Sequence, residues 1–481
     1  MDWATGAQPC DRATGARPSG GFGRMEPDDG EVREWADQTV AFVLRFVAGL
    51  AQAPAAYEPA APQLWARLRQ APPRTPGDLR ELLEVLGQAV SMGAEMAGPR
   101  MMGFVPGGGL VSAALAEFLA SAVNRHTGLA GHAPGAVALE QGVLRWLCDL
   151  FELPSAAAGV TCSGASMAAL SAVVAARTRH LDPRETARGT LYLTACAHRS
   201  IAKAASIAGL HPGQVRTVPV DADLRMDVEA ARALIDTDRK AGLRPFCVIA
   251  TAGSSDTGSI DPLADIAALA RQEGMWLHAD AAYGGFFQLT DRGRARLAGI
   301  ERADSIALDP HKSLFLPFGT GVLLVRDRGD LRAAFVLDDT PYLQDVDKDT
   351  ALPDFADLGP ELTRPFRGLR LWLPLHLHGT AAFREALDER LDLAARAHAA
   401  LAAEPRITVP WTPDLTTVAF RLRDRDENAH ARFVDRVNAT GRVFLSSTRV
   451  AGHHTVRLCV LSHRTRAEHV RQALDAISDC L

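Results

Sequence analysis

Lys312 follows a short apolar run, Ser305-Ile306-Ala307-Leu308, in the order Asp309-Pro310-His311-Lys312. A primary amine just past a buried strand can condense with a carbonyl once it gives up its proton. Upstream, Trp276-Leu277-His278-Ala279 ends in Asp280 and is followed by Ala281-Ala282-Tyr283-Gly284-Gly285. Ligands of open α/β sheets bind at the carboxyl ends of strands. A carboxylate fixed there is what a pyridine-type cofactor needs beside its ring nitrogen. The charge keeps the ring protonated and able to take electrons from a developing carbanion. A third segment, Thr161-Cys162-Ser163-Gly164-Ala165-Ser166-Met167, joins a strand to a helix. Its small residues expose backbone N–H groups, and a helix start favours an anion such as phosphate. Its spacing is neither that of a Walker loop nor that of a dinucleotide fingerprint, so nucleotide binding is unsupported. Each segment alone has a plainer reading: a solvated strand-end lysine, a capping aspartate, an ordinary turn. Their succession in one chain is what points to chemistry.

Such groups need a rigid sheet to hold them. Seven short apolar runs, at 159–162, 190–194, 215–220, 246–250, 275–279, 305–308 and 321–325, alternate with helical segments. Runs of this kind are strands buried on both faces, which means a mostly parallel sheet covered by helices. Before them, apolar residues from Trp35 to Val47 follow helical spacing, and a second helix is predicted from Thr75 to about Met92 with its cap in Thr-Pro-Gly-Asp. Residues 337–366 are polar and aperiodic, too long for a simple connector. The remainder reads as helix, strand (416–423), helix, strand (456–460) and helix, a small α+β domain. Residues 1–30 carry no hydrophobic period and read as a disordered tail, with Met25 as an alternative start.

Composition narrows the function classes. A net charge of −5 gives no general attraction to nucleic acid or to an anionic membrane. Seven scattered cysteines, none in a Cys-x-x-Cys pair, suggest neither a disulfide framework nor a structural metal site, and fit a reducing cytoplasm. No stretch is long and apolar enough to span a bilayer, and no signal peptide is evident. Among 52 cationic residues only Lys203, Lys240, Lys312 and Lys348 are lysines, so chemistry that needs an amine has few places to go.

Taken in order, the phosphate cradle, His198, Asp280 and Lys312 resemble the pyridoxal-phosphate enzymes of the aspartate-aminotransferase fold (fold type I). More closely, they are similar to the group II amino-acid decarboxylases, the family of aromatic-L-amino-acid decarboxylase. The resemblance runs from about Pro99 to Val460. It rests on Ala-His-Arg-Ser at 197–200, Gly-Ser-Ser at 253–255, His-Ala-Asp-Ala-Ala-Tyr-Gly-Gly at 278–285 and Asp-Pro-His-Lys at 309–312. It implies an N-terminal helical segment (31–95), a large cofactor domain (96–366) with a seven-stranded sheet and a mobile loop at 337–360, and a small domain (367–481). Lys312 would hold pyridoxal 5'-phosphate covalently and Asp280 would pair with its ring nitrogen. His198 would stack on one ring face, with Ala282 on the other. Ala165 and Ser166 would bind the phosphate, aided by Ser255 and His311. From the loop, Tyr342 would protonate the substrate carbon after carbon dioxide leaves. The resemblance further implies a homodimer in which the wall around Phe104 and His126 completes the partner's site.

The substrate end departs from the family. Gly107, in Phe104-Val105-Pro106-Gly107, stands where the aromatic-acid enzyme has threonine. His126 and Gly128 replace bulky wall residues. Lost wall volume would admit a larger substrate, and His126 would bind a polar group or serve as an ordinary core histidine. The expected activity is decarboxylation of an aromatic or related L-amino acid to its amine. The alternatives are oxidative conversion to an aldehyde on the same scaffold, which the presence of both Tyr342 and His198 disfavours, and a catalytically silent binding protein.

Overall fold

The computed structural model of the chain describes residues 25–57, 62–336 and 351–481. Most of the expected N-terminal tail, together with Tyr342 and Lys348 of the expected loop, lies outside them. The described chain forms two compact units. The first contains the helices Asp29–Gly49, Pro62–Leu68 and Leu79–Val90. The last is capped by Asp78 rather than Thr75, because the Asp78 carboxylate accepts the N–H groups of Arg80 and Glu81 at 2.8 and 3.3 Å. None of its residues is buried, and Leu82, Leu86 and Val90 leave an apolar stripe on one face.

The second unit is built on a seven-stranded sheet. In spatial order its strands are Ala158–Cys162, Gly321–Val325, Ser305–Leu308, Trp276–Asp280, Arg244–Thr251, Gly189–Thr194 and Val215–Val218. Every apolar run singled out in the sequence is one of them. Gly321–Val325 is antiparallel to both its neighbours, and the remaining pairs are parallel. Burial on both faces explains the unbroken apolar character of these strands, Val322 to Val325 being wholly inaccessible. Each such side chain contributes about 1.5–3 kcal/mol by burial.

A second sheet of four antiparallel strands, Ile407–Thr408, Thr417–Leu422, His453–Cys459 and Ser446–Val450, packs with the helices Glu427–Ala439 and Ala467–Cys480. The helical segment Gly368–Ala403, broken at Gly379 (φ 72°), belongs to both cores. Leu371, Leu375 and Leu387 face the large core, whereas Ala397 and Leu401 face the small one. The change of core therefore falls near Leu393 within this helix, and the expected boundary at 367 marks only the helix's start. Phe355 and Leu358, within the expected loop, are buried in the large core.

Candidate active site

Three adjacent parallel strands deliver the site. The register pairs Thr251 with Asp280 and Asp280 with Ala307, so Arg244–Thr251, Trp276–Asp280 and Ser305–Leu308 end along one edge. The strand Ala158–Cys162 runs parallel to them through its antiparallel neighbour, and the helix Ala165–His180 starts at the same edge. One pocket there is lined by Ala165, Ser166, His198, Ser255, Asp280, Ala282 and Lys312. All were expected from the sequence as cofactor residues. His311 stands beside the pocket: its Nδ1–H donates to the Thr320 carbonyl at 2.8 Å, and its Nε2 lies 3.6 Å from Asp309 Oδ2.

Lys312 sits in the short helix Pro310–Ser313, and its Nζ is 3.0 Å from Asp309 Oδ2. The other oxygen of Asp309 accepts the Ala165 N–H at 2.6 Å. Asp280 is nearly buried at 7% exposure, and the Ala282 N–H reaches its carboxylate at 3.2 Å. His198 caps the helix Arg199–Ile207: its Nδ1 accepts the Ser200 N–H at 3.3 Å and lies 2.7 Å from the Ser200 hydroxyl. A nitrogen that accepts a backbone N–H carries no proton, so the imidazole proton is on Nε2. Partial burial, and then the Lys312 ammonium, lower the His198 pKa and keep the ring neutral.

Sequence reasoning assigned no role to Ser200, Thr251, Gly253, Tyr283 or Asp309, which also line the pocket. Ser200, Gly253, Tyr283 and Asp309 stand inside the family-like motifs, but the partners of Tyr283 and Asp309 are remote in the chain. The Tyr283 hydroxyl accepts the Thr416 N–H at 2.9 Å and lies 2.7 Å from the Thr416 hydroxyl, so it ties the site to the small domain's sheet.

The five expected substrate-wall residues do not line this pocket. Phe104 is exposed, in a left-handed conformation (φ 54°), with its N–H on the Ser446 hydroxyl at 2.9 Å and its carbonyl on Arg457 at 3.2 Å. Val105 packs against the large core. The two glycines do not leave open space. A Cβ at Gly107 would lie 2.4 Å from the His311 carbonyl oxygen, and one at Gly128 would lie 2.4 Å from that of Leu362. Backbone already fills the volume expected to admit a larger substrate. His126 has its Nε2 at 3.2 Å from the Leu362 carbonyl and its Nδ1 at 3.2 Å from His132 Nδ1. The carbonyl can only accept, so Nε2 carries the proton and Nδ1 accepts from His132.

An amine, a buried carboxylate across the pocket, an imidazole at its side and a helix start together fit a pyridine ring bearing an aldehyde and a phosphate. The model of the pyridoxal-dependent decarboxylase conserved domain matches residues 62–423. Over 417 residues the chain is 33% identical to an aromatic-L-amino-acid decarboxylase of Bacillus atrophaeus, covering 85% of this chain and 86% of that one. Over 378 residues it is 34% identical to an L-2,4-diaminobutyrate decarboxylase of Rhizobium meliloti, covering 77% and 75%. Among solved structures, Oryza sativa TDC with PLP and tryptamine superimposes with a TM-score of 0.90 at 26% identity, over 94% of this chain and 98% of that one.

Proposed function

The chain belongs to the pyridoxal-dependent decarboxylase family, and from that premise we propose that Lys312, Asp280 and His198 carry the loss of carbon dioxide from an L-amino acid. The supporting observation is the convergence of these three side chains and the Ala165 helix start on one pocket at the sheet edge. Pyridoxal phosphate bound there supplies an electron sink for the carbanion left at the substrate's α-carbon. Lys312 provides the amine that carries the cofactor and yields to the substrate amine. Asp280 holds the ring-nitrogen proton, and its near-complete burial strengthens that pairing. His198, neutral at physiological pH, offers a flat wall with its proton on Nε2. Ala165 and Ser166 orient the phosphate through backbone N–H groups, with Ser255 beside them. Tyr342 donates the proton that replaces carbon dioxide. Since aromatic and diamino-acid decarboxylases match the chain at nearly equal identity, we hold the substrate class to L-amino acids and take aromatic acids as the first candidates.

The working form is a homodimer in the cytoplasm. Leu115, Phe118 and Leu119 of the helix Val111–Val123 lie bare on one face, with Phe118 61% exposed, which favours coverage by a second copy. The test is a panel of amino acids scored for carbon dioxide, amine and hydrogen peroxide, with Lys312→Ala as control. Carbon dioxide and amine in equal amounts, with the cofactor's visible absorbance lost in the variant, is the expected result. Aldehyde and peroxide in place of amine would overturn the reaction, and normal cofactor absorbance in Lys312→Ala would overturn the attachment site.

A further inference from the structure

We propose that Asp309 is a resident anion in the phosphate subsite, and that loading the cofactor transfers a proton onto this carboxyl. The carboxylate is 3% exposed and holds two donors at once. Its Oδ1 takes the Ala165 N–H at 2.6 Å, the first N–H of a 16-residue helix. Its Oδ2 takes the Lys312 ammonium at 3.0 Å. It therefore sits where an anion at this helix start would sit, and it neutralises the lysine that must become nucleophilic.

Cofactor binding claims both donors. The phosphate needs the helix N–H groups, and the aldehyde needs the Lys312 amine. Asp309 stays close to the site, because its backbone is fixed between a core strand and the Pro310–Ser313 turn, with its N–H on the Ala282 carbonyl at 3.3 Å. A buried carboxylate stripped of its donors and set beside a phosphate is driven to its neutral form by desolvation and like charge. The nearest proton is on Lys312. Its transfer from Nζ to Oδ2 turns ammonium and carboxylate into amine and carboxylic acid, with the N–H bond broken and the O–H bond formed. The amine is then free to condense, and the acid donates to a phosphate oxygen instead of repelling it. Solvent restores the proton to the lysine when no condensation follows, so net binding takes up one proton.

The other ionisable groups facing Asp309 do not replace this role. His311 donates from Nδ1 to the Thr320 carbonyl at 2.8 Å, and its Nε2 lies 3.6 Å from Asp309 Oδ2, farther than the Lys312 Nζ at 3.0 Å. His198 and Asp280 face it across the pocket, and the Cys162 thiol, two strands away in the sheet, is pushed up to about 12 by burial.

The inference rests on the phosphate placement proposed above. The probes are pyridoxamine 5'-phosphate, which has no aldehyde to condense, and pyridoxamine, which has no phosphate. Each is titrated calorimetrically into the full-length apoprotein in buffers of different ionisation enthalpy, so that protons taken up are counted. Wild type should take up about one proton with the phosphorylated probe, and difference infrared spectra should show the carbonyl stretch of a protonated carboxyl. In Asp309→Asn, whose amide oxygen can still accept the Ala165 N–H, uptake and infrared band should vanish. That variant should bind the phosphorylated probe about tenfold tighter or more, as expected when one unit of like-charge repulsion is removed. Its affinity for pyridoxamine should show no such gain. A wild-type protein that takes up no proton while still preferring the phosphorylated probe would overturn the role of Asp309 alone. Equal affinity for the two probes would instead overturn the phosphate placement. The wild-type measurements decide the matter even if the variant does not fold.

Discussion

Gly107→Ala separates two views of the segment that carries Phe104. Read from the sequence, Gly107 is a missing wall side chain, and a methyl there would only trim the substrate space. In the structure that methyl would lie 2.4 Å from the His311 carbonyl oxygen, 2.6 Å from the Lys312 carbonyl oxygen and 3.0 Å from the His311 carbonyl carbon. Non-bonded heavy atoms prefer about 3.5–4.0 Å, so the overlap is about 1 Å and falls wholly on backbone. The segment is held down on both sides of the contact. Leu110 N–H donates to the Phe315 carbonyl at 2.7 Å, and His463 Nδ1 lies 3.2 Å from the Gly107 carbonyl. Relief must therefore come partly from the Pro310–Ser313 turn, which would carry Lys312 with it.

Overpacking of this kind costs about 1–3 kcal/mol. A displacement of the reacting amine approaching 1 Å costs about 100-fold in rate. The expected variant is folded, melts a few degrees below wild type, holds less cofactor at a given concentration and turns over about 100-fold more slowly. Differential scanning calorimetry, visible absorbance titration and carbon dioxide release measure the three effects. A Gly107→Ala protein with wild-type melting and full cofactor loading, altered only in its choice of amino acid, would refute the placement of Gly107 against the lysine turn.

The buried pair Arg364–Glu140, at 2.7 Å with 1% and 0% side-chain exposure, ties the chain just after the expected loop to the helix Pro134–Leu150. Arg364→Met should cost about 3–5 kcal/mol by stranding the carboxylate; adding Glu140→Gln should recover part of it, and strictly additive losses in denaturant titration would deny the coupling. His278 is fully buried, its pKa pushed down to about 4 by desolvation, and its Nε2 has no partner among the described residues. The unfolded chain therefore binds this proton first, so stability is full above about pH 6.5 and falls toward pH 4 by about 1.4 kcal/mol per unit. Urea titrations of wild type and His278→Gln between pH 7 and 5 should differ in a slope that approaches one proton toward pH 5, and parallel slopes would show that another group carries the effect. Tyr342→Phe should divert product from amine to aldehyde with peroxide, as read by mass spectrometry and a peroxidase-coupled assay, while an unchanged amine yield would remove Tyr342 from the proton-donor role.

Elements were legible where burial imposed a pattern. The seven strands of the large sheet are apolar on both faces, so each announces itself without help from its neighbours. Ser446–Val450 does not, because it is an edge strand of Ser-Ser-Thr-Arg-Val whose side chains alternate between buried and exposed. The order of the strands is equally silent in the sequence, since pairing depends on crossovers rather than on composition. Helix ends were legible only roughly: Asp78 and Thr75 are both capping types, and only backbone geometry chooses between them. The two glycines of the expected substrate wall show a related limit. A glycine in the sequence looks like absent volume, yet at 107 and 128 the absent side chain is what lets another stretch of backbone approach.

The site divides along the same line, and the lysines show where it falls. Lys203 and Lys240 are exposed on the helices Arg199–Ile207 and Val228–Lys240, positions where arginine would serve as well. Lys312 alone, among the described lysines, lies in a pocket with a carboxylate 3.0 Å away. Arginine there could keep the ion pair but could not deprotonate to become a nucleophile. The need for an amine is thus a property of residue type and survives in the sequence. The surroundings of that amine do not, because its ion-pair partner Asp309 is also bound by Ala165, 144 residues earlier in the chain. A motif can record that Asp309 and Lys312 stand three apart. Only the fold brings the helix start to the same carboxylate.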